Sequence, residues 1–239
     1  AARFYVIDLG GGQLASLERL PHVAGVAGRE EGEKVRRIVD EVAGFIRRPE
    51  RCATFLVIDG WHHIGTSNAE FEDIAEKVTE IVADGASAHV HVIIATSRWT
   101  TMRPAIRDLI ANRLELRLGE ALDSLIDRKL QQKLPSAPGR GLTLAGENML
   151  LARTSNQDIA HICRVHAAAD PVPQLKMLPA VLTPATLAAQ GDVPASEIAW
   201  GIGGRDLDTL TWNPSREPHL VAIGAQGCGK STFLAQIMR

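Results

Sequence analysis

One stretch of this sequence has the residue types and spacing of a phosphate-binding loop: Gly224-Ala225-Gln226-Gly227-Cys228-Gly229-Lys230-Ser231-Thr232. It fits the pattern G-x-x-x-x-G-K-[ST] at every fixed position. Glycine at 227 and 229 lets the backbone curl so that successive N–H groups face a phosphate chain. The N-terminus of the following helix adds positive charge at the same place. In such a loop Lys230 reaches the β- and γ-phosphates and Ser231 ligates Mg²⁺. The motif therefore calls for ATP and Mg²⁺. Its flanks agree: "HLVAI" before it reads as a strand and "TFLAQIM" after it as a helix.

Weaker signals lie upstream. Phe55–Asp59 is four apolar residues and an acid, the form of a Walker B strand whose aspartate, Asp59, orients water on Mg²⁺. Many buried strands also end in Asp to cap a turn. Gly60 stands where a water-polarising glutamate would follow. Ile93–Arg98 ends in Thr96 and Ser97, which suit either a sensor near a γ-phosphate or a plain polar turn. Arg113 and Arg117 are candidate arginine fingers for a neighbouring site, or solvated surface cations. His62-His63 and His89-x-His91, on separate strands, have no carboxylate or cysteine to complete a ligand set, so they are not read as a metal site. Cys228 takes a permissive position inside the loop, where its thiolate could be activated.

These residues need a scaffold, and the sequence supplies an alternating one. "RFYVID" (3–8), "ATFLVIDG" (53–60), "HVHVIIATSRW" (89–99) and "LELRLG" (114–119) read as successive strands. Residues 29–48, 71–85 and 121–134 read as helices, the first with Val35, Ile38, Val39, Val42 and Ile46 on one face. Beyond Gly146 a strand and a helix are expected within 149–170. Prolines then recur from Pro171 to Pro194, and residues 197–214 read as a hairpin. Alternation of this kind predicts α/β architecture, with mainly parallel sheets flanked by helices. The apolar content is aliphatic, which suits a sheet buried on both faces.

Composition excludes several classes. The 239 residues carry a net charge of −2, so no global basic field points to nucleic acid. Three scattered cysteines without a C-x-x-C favour a reduced, cytosolic compartment and argue against a metal site built on cysteine. No run reaches the roughly 18 apolar residues of a membrane span.

Order along the chain is the most specific feature. In one RecA-like domain the phosphate loop precedes the Walker B strand, whereas here it follows. The expectation is two incomplete modules in tandem: residues 1–190, with a proline-rich connector, as the back of one, and residues 191–239 as the front of the next. An earlier part of the first module, and the body of the second, are expected to lie outside the sequence, with a further segment absent near Arg48 to Arg51. A chain so divided should not hydrolyse ATP by itself.

The blocks "FYVIDLGGGQLASLERLPHVAGVAG", "FLVIDGW", "RPAIRDLIANRLELRLG" and "PGRGLT" resemble an FtsK/SpoIIIE-type ATPase module. The stretch "WGIGGRDLDTLTWNPSREPHLVAIGAQGCGKSTFLAQIMR" resembles the start of another. The tandem order is similar to that of the ATPase of type VII (ESX) secretion systems. That resemblance implies P-loop ATPase modules, here the second and third and degenerate. It implies ATP and Mg²⁺ as cofactors, other secretion-system membrane components as partners, and small helical secreted proteins as substrates. It also implies a homo-oligomer, a hexamer, and a cytoplasmic portion of a protein anchored in the cell membrane. On it, Asp59 is the Walker B acid and Thr96 or Ser97 the sensor. The alternatives are a double-stranded DNA translocase of the same superfamily, which the charge does not favour, and a non-hydrolysing pseudo-ATPase scaffold.

Overall fold

The computed structural model describes residues 2–67, 69–167 and 170–238. The chain divides into two compact units, Ala1–Leu175 and Lys176–Arg239. The sequence expectation put the change near 190. Residues after the first prolines still pair with the first unit. Val172 N–H donates to the Pro21 carbonyl (2.9 Å) and Leu175 N–H to that of Ala24 (2.8 Å).

The first unit is built on a parallel sheet of β1 (Ala2–Asp8), β2 (Val23–Gly28), β3 (Ala53–Asp59) and β4 (Val90–Ala95), in the order β2-β1-β3-β4. Helix α1 (Gly32–Arg47) joins β2 to β3. The short α2 (His62–Gly65) and α3 (Ala75–Asp84) join β3 to β4. The alternation anticipated from sequence is therefore present, and α1 is amphipathic as its pattern requires. Ile38, Val39 and Val42 have no exposed surface, and each such burial contributes roughly 1.5–3 kcal/mol. They pack with Phe45 against Tyr5, Ile7, Leu56 and Ile58. Arg3 is buried beside them. Its guanidinium lies 3.9 Å from the Phe45 ring centroid, and its Nε donates to Thr54 Oγ1 (3.0 Å).

Strand β2 has no counterpart in the sequence reading. Its residues, Val-Ala-Gly-Val-Ala-Gly, lack the bulk that marks a strand. Pairing with β1 makes it one, and every residue except Gly28 is buried.

The region after β4 departs from expectation. It holds α4 (Pro104–Arg107), β5 (Glu115–Leu116), α5 (Arg128–Lys133), β6 (Arg140–Leu142), β7 (Asn148–Leu150) and α6 (Asn156–Val165). The run 114–119 does not extend the parallel sheet; only Glu115 and Leu116 pair, antiparallel to β6. The expected helix 121–134 shrinks to a 3-10 turn at Ala121–Asp123 and to α5. Side chains cause this. Ser124 Oγ accepts from the N–H of Ile126 and Asp127, and Asp127 caps Lys129 and Leu130, so local bonds replace a continuous helix. Helix α6, by contrast, opens with a Ser155–Asp158 capping box. It places Ile159 with Val6, Val23 and Val26 on the second face of the sheet.

The second unit contains α7 (Pro184–Ala188), a hairpin of β8 (Ile198–Gly203) and β9 (Asp208–Trp212), and α8 (Lys230–Ile237). The hairpin is where the sequence placed it. Trp200 on β8 meets Phe233 on α8 edge to face at 5.7 Å. The run 219–223, expected as a strand, forms no ladder among the described residues, and Ile223 is 90% exposed. An extended run becomes a strand only when a neighbour pairs with it.

Candidate functional site

In the second unit, Gly227 and Gly229 of the phosphate loop have φ of +79° and +95°. Only glycine takes such angles without strain. Gly229 is the N-cap of α8 and has no side chain to donate to. The N–H groups of Lys230, Ser231 and Thr232 therefore make no hydrogen bond among the described residues, while Phe233 N–H is the first to bond within the helix, to Gly229. Unsatisfied N–H donors at a helix start, beside a curled glycine loop, are the donor set a phosphate chain needs. Lys230 Nζ donates to the carbonyls of Gly224 (2.9 Å) and Ala225 (2.6 Å), so the ammonium is held across the loop by its own backbone. Cys228 is exposed, and its thiol covers Gly224: a methyl there would lie 2.3 Å from Sγ.

In the first unit, β1, β3 and β4 run in register and bring Asp8, Asp59 and Ala95 level at the carboxyl edge of the sheet. That edge is where parallel sheets bind ligands. The structure thus places Asp59 and the candidate sensor residues Thr96 and Ser97 on the same edge. The two acids are used differently. Asp8 is buried and accepts from the N–H of Gly12 (3.1 Å) and Leu14 (2.7 Å), which fixes the glycine loop after β1. The Asp59 carboxylate has no hydrogen-bond partner among the described residues. It lies over Gly10, where a methyl group would come within 2.3 Å of Oδ2. Of the two acids, only Asp8 is committed to backbone N–H groups, and the absence of a side chain at Gly10 leaves the Asp59 carboxylate its space.

The hydroxyl of Thr96 meets that of Thr101 at 2.8 Å, whereas Ser97 is exposed. Trp61 N–H donates to the Ala95 carbonyl and Trp61 Nε1 to that of Thr101, which ties the turn after β3 to the loop after β4. The two arginines differ as well. Arg117 donates to the Leu134 carbonyl (2.8 Å). The Arg113 guanidinium lies 5.8 Å from the Trp99 ring centroid, and its buried Nε has no partner. Of the histidines, His62 and His63 lie on α2 rather than on a strand, with rings 4.1 Å apart. His89 is outside β4 in a left-handed conformation and does not share a strand face with His91. Burial, with the charge of His62 second, lowers the pKa of His63. No group of three metal-ligating side chains occurs among the described residues, and no described helix is long and apolar enough to cross a membrane.

Sequence reasoning missed Glu115. It is 2% exposed and accepts from Ser124 Oγ (2.6 Å), Leu125 N (2.8 Å), Trp99 Nε1 (2.8 Å) and Gln131 Nε2 (3.1 Å). The signal available was an acid at an inward position of an alternating run.

Residues 2–160 match the family model described as FtsK/SpoIIIE family. The chain belongs to the FtsK/SpoIIIE family. Within it, the chain is 33% identical over 265 residues to the ESX-4 secretion system protein EccC4 of Mycobacterium tuberculosis, covering 99% of this chain and 21% of that protein. It is 31% identical over 276 residues to the ESX secretion system protein EccC of Thermomonospora curvata, covering 98% and 21%. The chain thus spans about a fifth of the length of these curated relatives. Among solved structures, the cytoplasmic domain of the type VII secretion ATPase EccC of Thermomonospora curvata superposes with a TM-score of 0.78 at 31% identity, over 99% of this chain and 32% of that one. A structure of ATPases 2 and 3 of the same EccC, in complex with a signal sequence peptide, gives 0.77 at 31% identity, over 99% and 49%. This FtsK/SpoIIIE chain is therefore similar to EccC in sequence and in fold along nearly its whole length.

Proposed function

We propose that the chain is part of the ATPase of a type VII (ESX) secretion system, joining the rear of one FtsK-like ATPase module to the front of the next. The rear module takes residues 1–190 with the proline-rich connector, and the front of the next takes residues 191–239. The observation that carries the reading is the phosphate loop: positive φ at both glycines, an uncapped helix start and Lys230 held across the loop. Gly224 to Thr232 hold the phosphates, with Ser231 toward Mg²⁺; the bound nucleotide supplies the free energy of γ-phosphate cleavage. Asp59 is the metal-site acid of the other module, and Thr96 or Ser97 its sensor. The parent protein is anchored in the cell membrane and oligomeric, a hexamer. It exports small helical proteins together with other membrane components. The complex of Thermomonospora curvata EccC with a signal sequence peptide supports substrate binding by modules of this kind. Gly60 in the place of a catalytic glutamate favours a second reading for the first module, a nucleotide-dependent scaffold that does not hydrolyse.

The 239-residue chain is expected to bind a fluorescent ATP analogue with Mg²⁺ through the second unit. Lys230→Ala should weaken binding by about 10- to 100-fold, the loss of charge-assisted hydrogen bonds of about 1.5–3 kcal/mol. Unchanged affinity in a fluorescence titration removes the phosphate loop from the proposal.

Arg113, rather than Arg117, is assigned as the arginine facing a neighbouring site, because the Arg117 guanidinium is committed to the Leu134 carbonyl. In the longer protein, Arg113→Ala should lower turnover by about 10³-fold or more. Arg117→Ala should act mainly on stability, by about 1 kcal/mol. Equal kcat losses in the two variants argue against this assignment.

A further inference from the structure

We propose that the groove between α3 and α4 docks a basic amphipathic segment of another polypeptide. That segment inserts a branched aliphatic side chain and carries a lysine or arginine within one helical turn of it. The groove encloses about 310 Å³. This is the small end of the roughly 300–1,000 Å³ of ligand pockets, room for a side chain rather than a nucleotide.

Its floor is carbon. Trp61, Ala75 and Ile106 are buried beneath it. The only N–H of the Trp61 ring already donates to the Thr101 carbonyl (3.1 Å), so the indole has no polar group left for a ligand. The same ring lies against Gly65, where a methyl group would sit 2.1 Å from Nε1. The floor is fixed in shape and calls for an apolar occupant.

Its rim is acidic. Glu76 and Glu80 are exposed, stand four residues apart on α3 and line the groove. Side chains at that spacing are neighbours, and like charges there repel. Neither forms an ion pair among the described residues. Nearby charges are matched: Arg103 pairs with Glu72 (2.8 Å), Arg36 with Asp73 (2.7 Å) and Lys77 with Asp40. Two unmatched carboxylates over an apolar floor fit a cation that arrives attached to an apolar side chain. A lone inorganic cation leaves the floor bare, and an uncharged apolar helix leaves the carboxylates without a partner. A helix laid in a groove by one anchor residue meets both demands.

The test uses the 239-residue chain and two synthetic helical peptides. One has leucines along one face flanked by lysines; the other has glutamates in place of those lysines. Binding is followed by two-dimensional NMR of amide and indole N–H groups. The lysine peptide is expected to shift the Trp61 indole signal and the amides of Thr79, Glu80 and Ile106. The glutamate peptide should bind about tenfold more weakly or worse, as should the lysine peptide to Glu76→Lys/Glu80→Lys. A second variant, Thr79→Met, fills the groove without changing charge and should also weaken the lysine peptide. Equal affinity for the two peptides overturns the proposal, as do shifts confined to other residues or no shift at millimolar peptide. Concentration-dependent self-association that the double variant abolishes also overturns it, since it assigns the groove to a second copy of the chain.

Discussion

Replacing Glu115 with glutamine is expected to lower the stability of the first unit by about 3 kcal/mol, because a neutral amide cannot accept charge-assisted hydrogen bonds of about 1.5–3 kcal/mol each. The carboxylate receives four donors from three separate stretches: Trp99, Ser124 with Leu125, and Gln131. A glutamine presents one acceptor oxygen and turns an NH₂ toward groups that are themselves donors. In a unit of this size the loss corresponds to a fall of about 6–12 °C in the melting temperature of the first unit. The pH dependence separates charge from shape. Burial would raise the pKa of Glu115, but the bonds from Ser124, Leu125, Trp99 and Gln131 outweigh it and hold it below the ordinary glutamate value. A depressed folded-state pKa gives stability that is fully present above the unfolded pKa, about 4.3. That stability is lost as the pH falls through the lower, folded value. The gap between wild type and Glu115→Gln should therefore be wide at neutral pH and close under acid conditions. A gap of the same size in acid and at neutral pH, measured by calorimetry, shows that the charge is not what holds this region together.

Glu115 also shows where sequence reading stops. The parallel strands β1, β3 and β4 and helix α1 were legible because each carries its own periodic signal over many residues. The phosphate loop was legible because its glycines, lysine and serine are fixed by local chemistry. Strand β2 was not, since alanine and glycine mark a strand only once β1 lies beside them. Residues 114–134 were misread for a related reason. Their alternation and helical spacing are real, but Glu115, Ser124 and Asp127 bind nearby backbone and side-chain groups and cut both patterns short. The candidate site divides the same way. The sequence singled out Asp59, Thr96 and Ser97 separately, and the register of the sheet brings them to one edge. That Asp8 is tied to the glycine loop while Asp59 is not follows from distances no motif records.

The 239-residue chain is expected to show no multi-turnover ATP hydrolysis, and introducing a glutamate at position 60 should not create it. From sequence, Gly60 reads as the loss of a catalytic side chain. The structure shows a position that cannot carry one. Its φ is +80°, and a methyl group there would lie 2.9 Å from the Gly10 nitrogen and 2.9 Å from the Leu9 carbonyl carbon. Left-handed backbone costs a non-glycine residue about 1–2 kcal/mol, and overpacking adds about 1–3 kcal/mol. Gly60→Glu should therefore destabilise the first unit by about 3 kcal/mol. Relief comes only by moving the turn away from Gly10, which is also the surface under the Asp59 carboxylate. The substitution then disturbs the acid it was meant to assist. Gly60→Ala is the decisive companion, because its Cβ meets the same atoms without adding a charge. If geometry excludes a side chain here, alanine is nearly as costly as glutamate in a thermal melt. An alanine variant as stable as wild type removes the steric argument. Phosphate release above background from the wild-type chain, over many turnovers, would falsify the proposed division of its ATPase residues between two modules.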